Sequence, residues 1–150
     1  LPSPPPRPAP GDDVEDVLTL RRVLESGAAE AAAARPLTPA ERQHLTVALL
    51  DVSGVDIDDG EYRRRDSRLH LAIAEATASA SLTTAVADVR TRVNELLDAI
   101  PLLAVNIEHS DAQHRSIVAA ILAGDPAAAR QAMDEHLDGT AALLRGFLWG

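Results

Sequence analysis

From Val14 onward, apolar residues recur at spacings of three and four, the period of helices that bury one face. A first helix is predicted from Asp12 or Asp13, with Glu15 and Asp16 near its positive end. Its inward positions are Val14, Val17, Leu18, Leu24, Ala28, Ala31 and Ala32, and it stops before Pro36. Thr38 caps a second helix, with Pro39 in first position and Glu41 completing a capping box, running to about Asp51. Residues Val52 to Gly60 read as a loop rich in Asp and Gly. Further helices are expected over Glu61–Thr77, Ser81–Ile100 (stopped by Pro101) and Asn106–Ala123 (closed by Gly124). Asp125 caps the last, with Pro126 at its first position, reaching about Phe147. Six helices on short connections predict an all-α antiparallel bundle.

Composition sharpens this picture. Apolar residues make up 46% of the 150-residue chain but aromatic residues only 2%, so the core is built from Leu, Val, Ile and Ala. Ala favours helix and lets helices approach closely. The length suits one domain, taken as residues 12–150. The first eleven residues carry six prolines and read as a linker or tail. Cysteine is absent, which excludes disulfides and thiolate metal sites. No apolar run approaches the ~20 residues of a membrane span, and the N-terminus lacks the apolar stretch of a signal peptide. The expectation is a cytoplasmic protein without membrane contact. Leu1 is not an initiator Met, which is consistent with a fragment of a longer chain. The net charge of −9 disfavours this segment as a DNA-binding surface, because phosphate neutralisation needs clustered positive charge.

The helical period also sorts the five histidines. Asp66 and His70 stand four apart, on a face shared with Ile73, Ala74 and Thr77. His114 shares a face with Ile117, Val118 and Ile121, and His136 with Ala129, Ala132, Met133, Thr140 and Leu143. His44 and His109 fall in polar surroundings and read as solvated. A lone inward His is ordinarily a hydrogen-bonded core residue. Three of them with a carboxylate ask for more, since each buried polar group needs a partner. One divalent cation would satisfy all four, and this donor set suits Zn, Ni, Mn or Fe better than Ca or Mg. Four protein ligands on an octahedral ion leave two positions, which a small carboxylate could fill. Arg21, Arg90 and Arg92 are candidates to pair with it; the plainer reading of each is a surface Arg paired with a neighbouring acid, as Arg21 with Glu25.

The order of these motifs resembles the FCD domain, the effector-binding C-terminal domain of a branch of GntR-type bacterial transcription regulators. The pieces are LRRVLESGAAEAAAAR in the first helix, Asp66–His70 (DSRLH), His114–Ile121 (HRSIVAAI) and Gly124–Leu137 (GDPAAARQAMDEHL), together spanning about Asp13 to Leu144. The resemblance implies a bundle of six or seven helices around a central cavity. It implies that Asp66, His70, His114 and His136 are metal ligands and that Arg21 faces an organic-acid effector. It also implies a homodimer whose DNA contacts are made by a winged-helix domain outside this chain. Leu69 replaces the family's usual Phe. Ser79 stands where an Asn is usual, and is a further effector-contact candidate.

Three readings stay open at this point. The chain is a non-enzymatic, effector-sensing regulator domain, a metal-dependent hydrolase or oxygenase, or a bundle in which the metal only stabilises the fold. Against the enzyme, no further general base or Ser or Cys nucleophile accompanies the four residues.

Overall fold

The computed structural model describes residues 2–3, 10–54 and 56–149; most of the Pro-rich start, including 4–9, lies outside them. Six helices, and no strand among the described residues, make up the fold: α1 (Pro10–Ala33), α2 (Pro39–Val52), α3 (Asp59–Glu75), α4 (Ala80–Leu97), α5 (Ala104–Leu122) and α6 (Pro126–Trp149). No described helix is long and apolar enough to cross a membrane.

Local chemistry accounts for the boundaries. Thr38 Oγ1 accepts from the Glu41 amide at 3.1 Å, and Glu41 Oε1 accepts from the Thr38 amide at 3.0 Å. This reciprocal pair starts α2, with Pro39 pre-set for the first turn. Asp58 caps α3 and Asp125 caps α6. Gly124 ends α5 at φ +69°, a left-handed turn that glycine enters without steric cost. The structure departs from expectation mainly at helix ends. α1 begins at Pro10, so Asp12 and Asp13 lie inside its first turn. α4 stops at Leu97, short of Ile100: the amides of Ala99 and Ile100 turn to the carbonyls of Leu96 and Leu97, tightening the chain into turns before Pro101. α5 begins two residues early, at Ala104, with no side-chain cap.

α1 is the central helix, in contact with α3, α4, α5 and α6. Its pairing with α6 is antiparallel: Glu15 meets Arg145, Arg22 meets Asp138, and Glu30 meets Arg130. Two apolar clusters form the core. The larger gathers Ala28, Ala29, Ala32 and Ala33 of α1 with Leu45, Leu69, Ile73, Ile117, Ile121 and Met133. The smaller joins Val14, Val17 and Leu18 to Val89, Val93, Leu97, Ala141 and Leu144. Ala31, expected inside, is exposed, and Ala29 and Ala33 hold the buried places. Along α1 the two clusters are separated by the stretch between Leu18 and Ala28, about three turns, in which Arg21 and Glu25 point inward.

Candidate metal and effector site

In that gap the bundle encloses a group of polar side chains. α3 supplies Asp66 and His70, α5 supplies His114 and α6 supplies His136. α1 adds Arg21 and Glu25, and α4 adds Arg90. All are buried; Asp66, the least covered of them, is 6% exposed. One potential ligand atom from each of Asp66, His70, His114 and His136 lies within 4.8 Å of the others. The three imidazoles crowd together, with ring centres 4.7 to 5.7 Å apart.

The outer atoms of these side chains are engaged. Nδ1 of His70 makes a short hydrogen bond to Glu25 Oε1. Nδ1 of His136 bonds to Gln113 Oε1 at 2.7 Å. Oδ2 of Asp66 accepts from Arg90 Nη2 at 2.8 Å, and Arg90 reaches on to Ser67 and Asn94. The inner atoms are not satisfied. Nε2 of His70 and of His114 approach Asp66 Oδ1 at 3.4 and 3.1 Å without the alignment of a hydrogen bond, and Nδ1 of His114 has no partner. Buried imidazole nitrogens without partners cost free energy, so an interior held this way points to a missing group. The chemistry of the donor set fits a borderline transition-metal ion, with carboxylate and imidazole donors of which Asp66, His70 and His136 are already hydrogen-bonded on their far sides.

Electrostatics act in the same direction. Burial opposes ionisation of Asp66, but the charges of His70 and Arg90 and the close approach of the His114 and His70 rings outweigh it and hold the carboxyl well below its usual range. Burial, then the neighbouring His114 and His70, push His136 well below the usual imidazole value, so its ring stays neutral with a lone pair to donate. Burial also works against charge on His70, yet Glu25 on one side, aided by Asp66, raises it. The permanent charges of Asp66, Glu25, Arg21 and Arg90 cancel. A divalent ion here would therefore sit in a centre of net +2, and an anion would be drawn to it.

Beside the group lies a cavity of about 50 Å³, room for a few non-hydrogen atoms. Arg21, Tyr62, Arg63, Asp66, His136 and Thr140 are among its walls. The turn after α4 closes one side, and Arg63 fastens it by donating to the carbonyls of Leu97 and Ile100. Burial, followed by the charge of Asp66, pushes the Tyr62 hydroxyl upward, so it remains a neutral donor. Arg21 offers its Nη1, which is buried and unpartnered.

The model of the FCD domain matches residues 16–139. The chain belongs to the FCD-domain family. It is also similar to the HTH-type transcriptional regulator LutR of Bacillus subtilis (strain 168), 26% identical over 141 residues. That alignment covers 91% of this chain and 64% of LutR, so the chain spans less than two thirds of its relative's length. Family and relative together support an effector-binding domain of a transcription regulator.

Within this FCD domain the four residues singled out as ligands come together, and Arg21 joins Asp66 and His136 at the cavity wall. Arg90 is central too, but it holds the back of Asp66 and does not line the cavity. Arg92 points to solvent and pairs with Asp16 at 3.2 Å. Ser79 caps α4 through the Leu82 amide at 3.1 Å, outside the cavity lining. His44 and His109 are exposed. Glu25, Gln113, Tyr62 and Arg63 were not foreseen. Glu25 had the signal, since positions 18, 21, 25, 28 and 32 share one helical face.

Proposed function

We propose that this domain binds a divalent transition metal through Asp66, His70, His114 and His136 and senses a small organic acid at that metal and Arg21. The observation that carries the reading is the buried meeting of four donor atoms within 4.8 Å, with imidazole nitrogens that lack any other partner. Zn, Ni, Mn and Fe all suit the donor set. When bound, such an ion supplies positive charge and open positions for a carboxylate. Arg21 supports the other end of the contact, because a guanidinium binds carboxylate in a forked geometry and its Nη1 is free. The small cavity favours acids of few carbon atoms.

In this reading the domain works in a cytoplasmic homodimer and regulates DNA binding by a winged-helix domain outside this chain. The acid acts by binding one arrangement of the helices better than another, and only that difference in affinity can shift the equilibrium. The site is a sensor, not an enzyme: Asp111, the remaining buried acid, accepts from the Gly54 amide at 3.1 Å and does not line the cavity.

Elemental analysis of gently purified protein, followed by calorimetric titration with an organic-acid panel before and after chelation, tests the proposal. The expected result is one metal per chain and acid binding that chelation abolishes. Metal without binding of any acid would reduce the site to a structural one. Turnover of a bound acid, lost on chelation, would make it an enzyme.

A further inference from the structure

Glu25 stands at the centre without belonging to the four-residue donor set. It is 1% exposed, and its two oxygens have different partners. Oε1 accepts from Nδ1 of His70 on α3, and Oε2 accepts from Nε of Arg21, one turn earlier on α1, at 2.8 Å. With Nδ1 engaged, His70 has only Nε2 to offer, and that is the nitrogen turned toward Asp66 without a hydrogen bond. Arg21 in turn faces the cavity. One carboxylate therefore touches both a metal-donor imidazole and the cation that waits for an anion.

Two physical effects follow. A carboxylate behind an imidazole fixes the ring and makes the opposite nitrogen a better donor. A guanidinium on the same carboxylate draws negative charge toward itself and weakens that effect, because the guanidinium and the imidazole N–H compete for one anion.

We propose that Glu25 is the positioning residue that holds His70 for the metal, and the link through which cavity-facing Arg21 sets the strength of that hold. This rests on the metal reading above. If Glu25 served only to neutralise Arg21 in the interior, its loss would lower thermal stability and leave metal affinity alone.

The test uses the whole chain, stripped by chelator, with Zn²⁺ alone as the probe. Affinity is measured by competition with a chromophoric chelator for wild type, E25Q, R21Q and the E25Q/R21Q double variant, alongside thermal unfolding. E25Q is expected to bind Zn²⁺ about 10–100-fold more weakly. The double variant leaves neither charge of the pair unpaired, which guards against misfolding, and it should remain about 10–100-fold weaker than R21Q. R21Q should tighten binding by a larger factor with Glu25 present than in the E25Q background. Wild-type Zn²⁺ affinity in E25Q, or a double variant that matches R21Q, overturns the positioning role. Equal R21Q factors in both backgrounds overturn the link. A wild-type protein that binds no Zn²⁺ fails one level down: it sinks the metal reading and this inference with it.

Discussion

α1 takes part in two kinds of ion pair, and they behave differently. On its surface, Glu15, Arg22 and Glu30 meet Arg145, Asp138 and Arg130 of α6, all partly exposed to water. In the interior, Arg21 and Glu25 belong to a buried network of Asp66, Arg90 and three histidines. The surface pairs can rearrange and be screened, so each contributes little. The buried network has no such escape. Its atoms include Nη1 of Arg21, Nε and Nη1 of Arg90 and both nitrogens of His114, all without hydrogen-bond partners. Well-packed apolar side chains in the same volume would hold such a bundle as firmly or more so. The contrast teaches that charge on one helix can mark its register on the outside and its function on the inside.

The largest break in this contrast comes from the metal itself. Zn²⁺ added to stripped protein at roughly 1,000 times its dissociation constant should stabilise the fold by about 4 kcal/mol. For a domain of this size that raises Tm by about 10 °C. H114A should lose the increment in a thermal melt, and an increment retained in H114A would place the ion elsewhere. Next in size is R90M, which leaves Oδ2 of buried Asp66 without its cation. Urea unfolding of the metal-free variant should show a loss of about 3 kcal/mol. An unchanged midpoint would mean that Asp66 is held by its histidines alone.

The pH dependence sharpens the interior side of the comparison. Glu25 and Asp66 raise His70 above its ordinary value despite its burial, so the metal-free centre keeps a proton that must leave before Nε2 can donate. The Tm increment produced by Zn²⁺ should therefore shrink as pH falls from 8 toward 6. For the metal-free protein the sign is opposite: the His70 contribution is fully present below about 6.5 and fades as pH rises through the elevated folded value. Melts across that range with and without Zn²⁺ check both, and an increment flat in pH would contradict a proton held at the centre. The smallest effect is on the surface. R130A removes the single contact to Glu30, both residues being about half exposed, and should leave Tm unchanged within measurement. A clear drop would show that the seam contributes more than its exposure implies.

Much of this was legible before any coordinates. The helices announce themselves through Thr38-Pro39 and Asp125-Pro126, because capping is local chemistry. The ligand set is legible because a 100° turn per residue places Asp66 with His70, and His114 and His136 on apolar stripes. The partners behind the ligands were not. Glu25 reads as a surface mate for Arg21 when only the i, i+4 spacing is weighed, although both face inward. Gln113 precedes His114 by one residue but serves His136 across the α5–α6 seam, a pairing that no single helix discloses. Arg92 and Arg90 stand two apart, so only one can face the centre, and the period alone does not say which.

The donor set is drawn from α3, α5 and α6, and its hydrogen-bond support comes from α1 and α4 as well. No fragment of the chain that lacks the last helix contains it. During synthesis, Arg21 and Glu25 emerge before His136, so the centre completes itself only when α6 docks along α1. Until then the arginines, acids and imidazoles remain in water, where they are well solvated. The site thus doubles as a record that the whole domain has folded, read at the moment when its last histidine arrives.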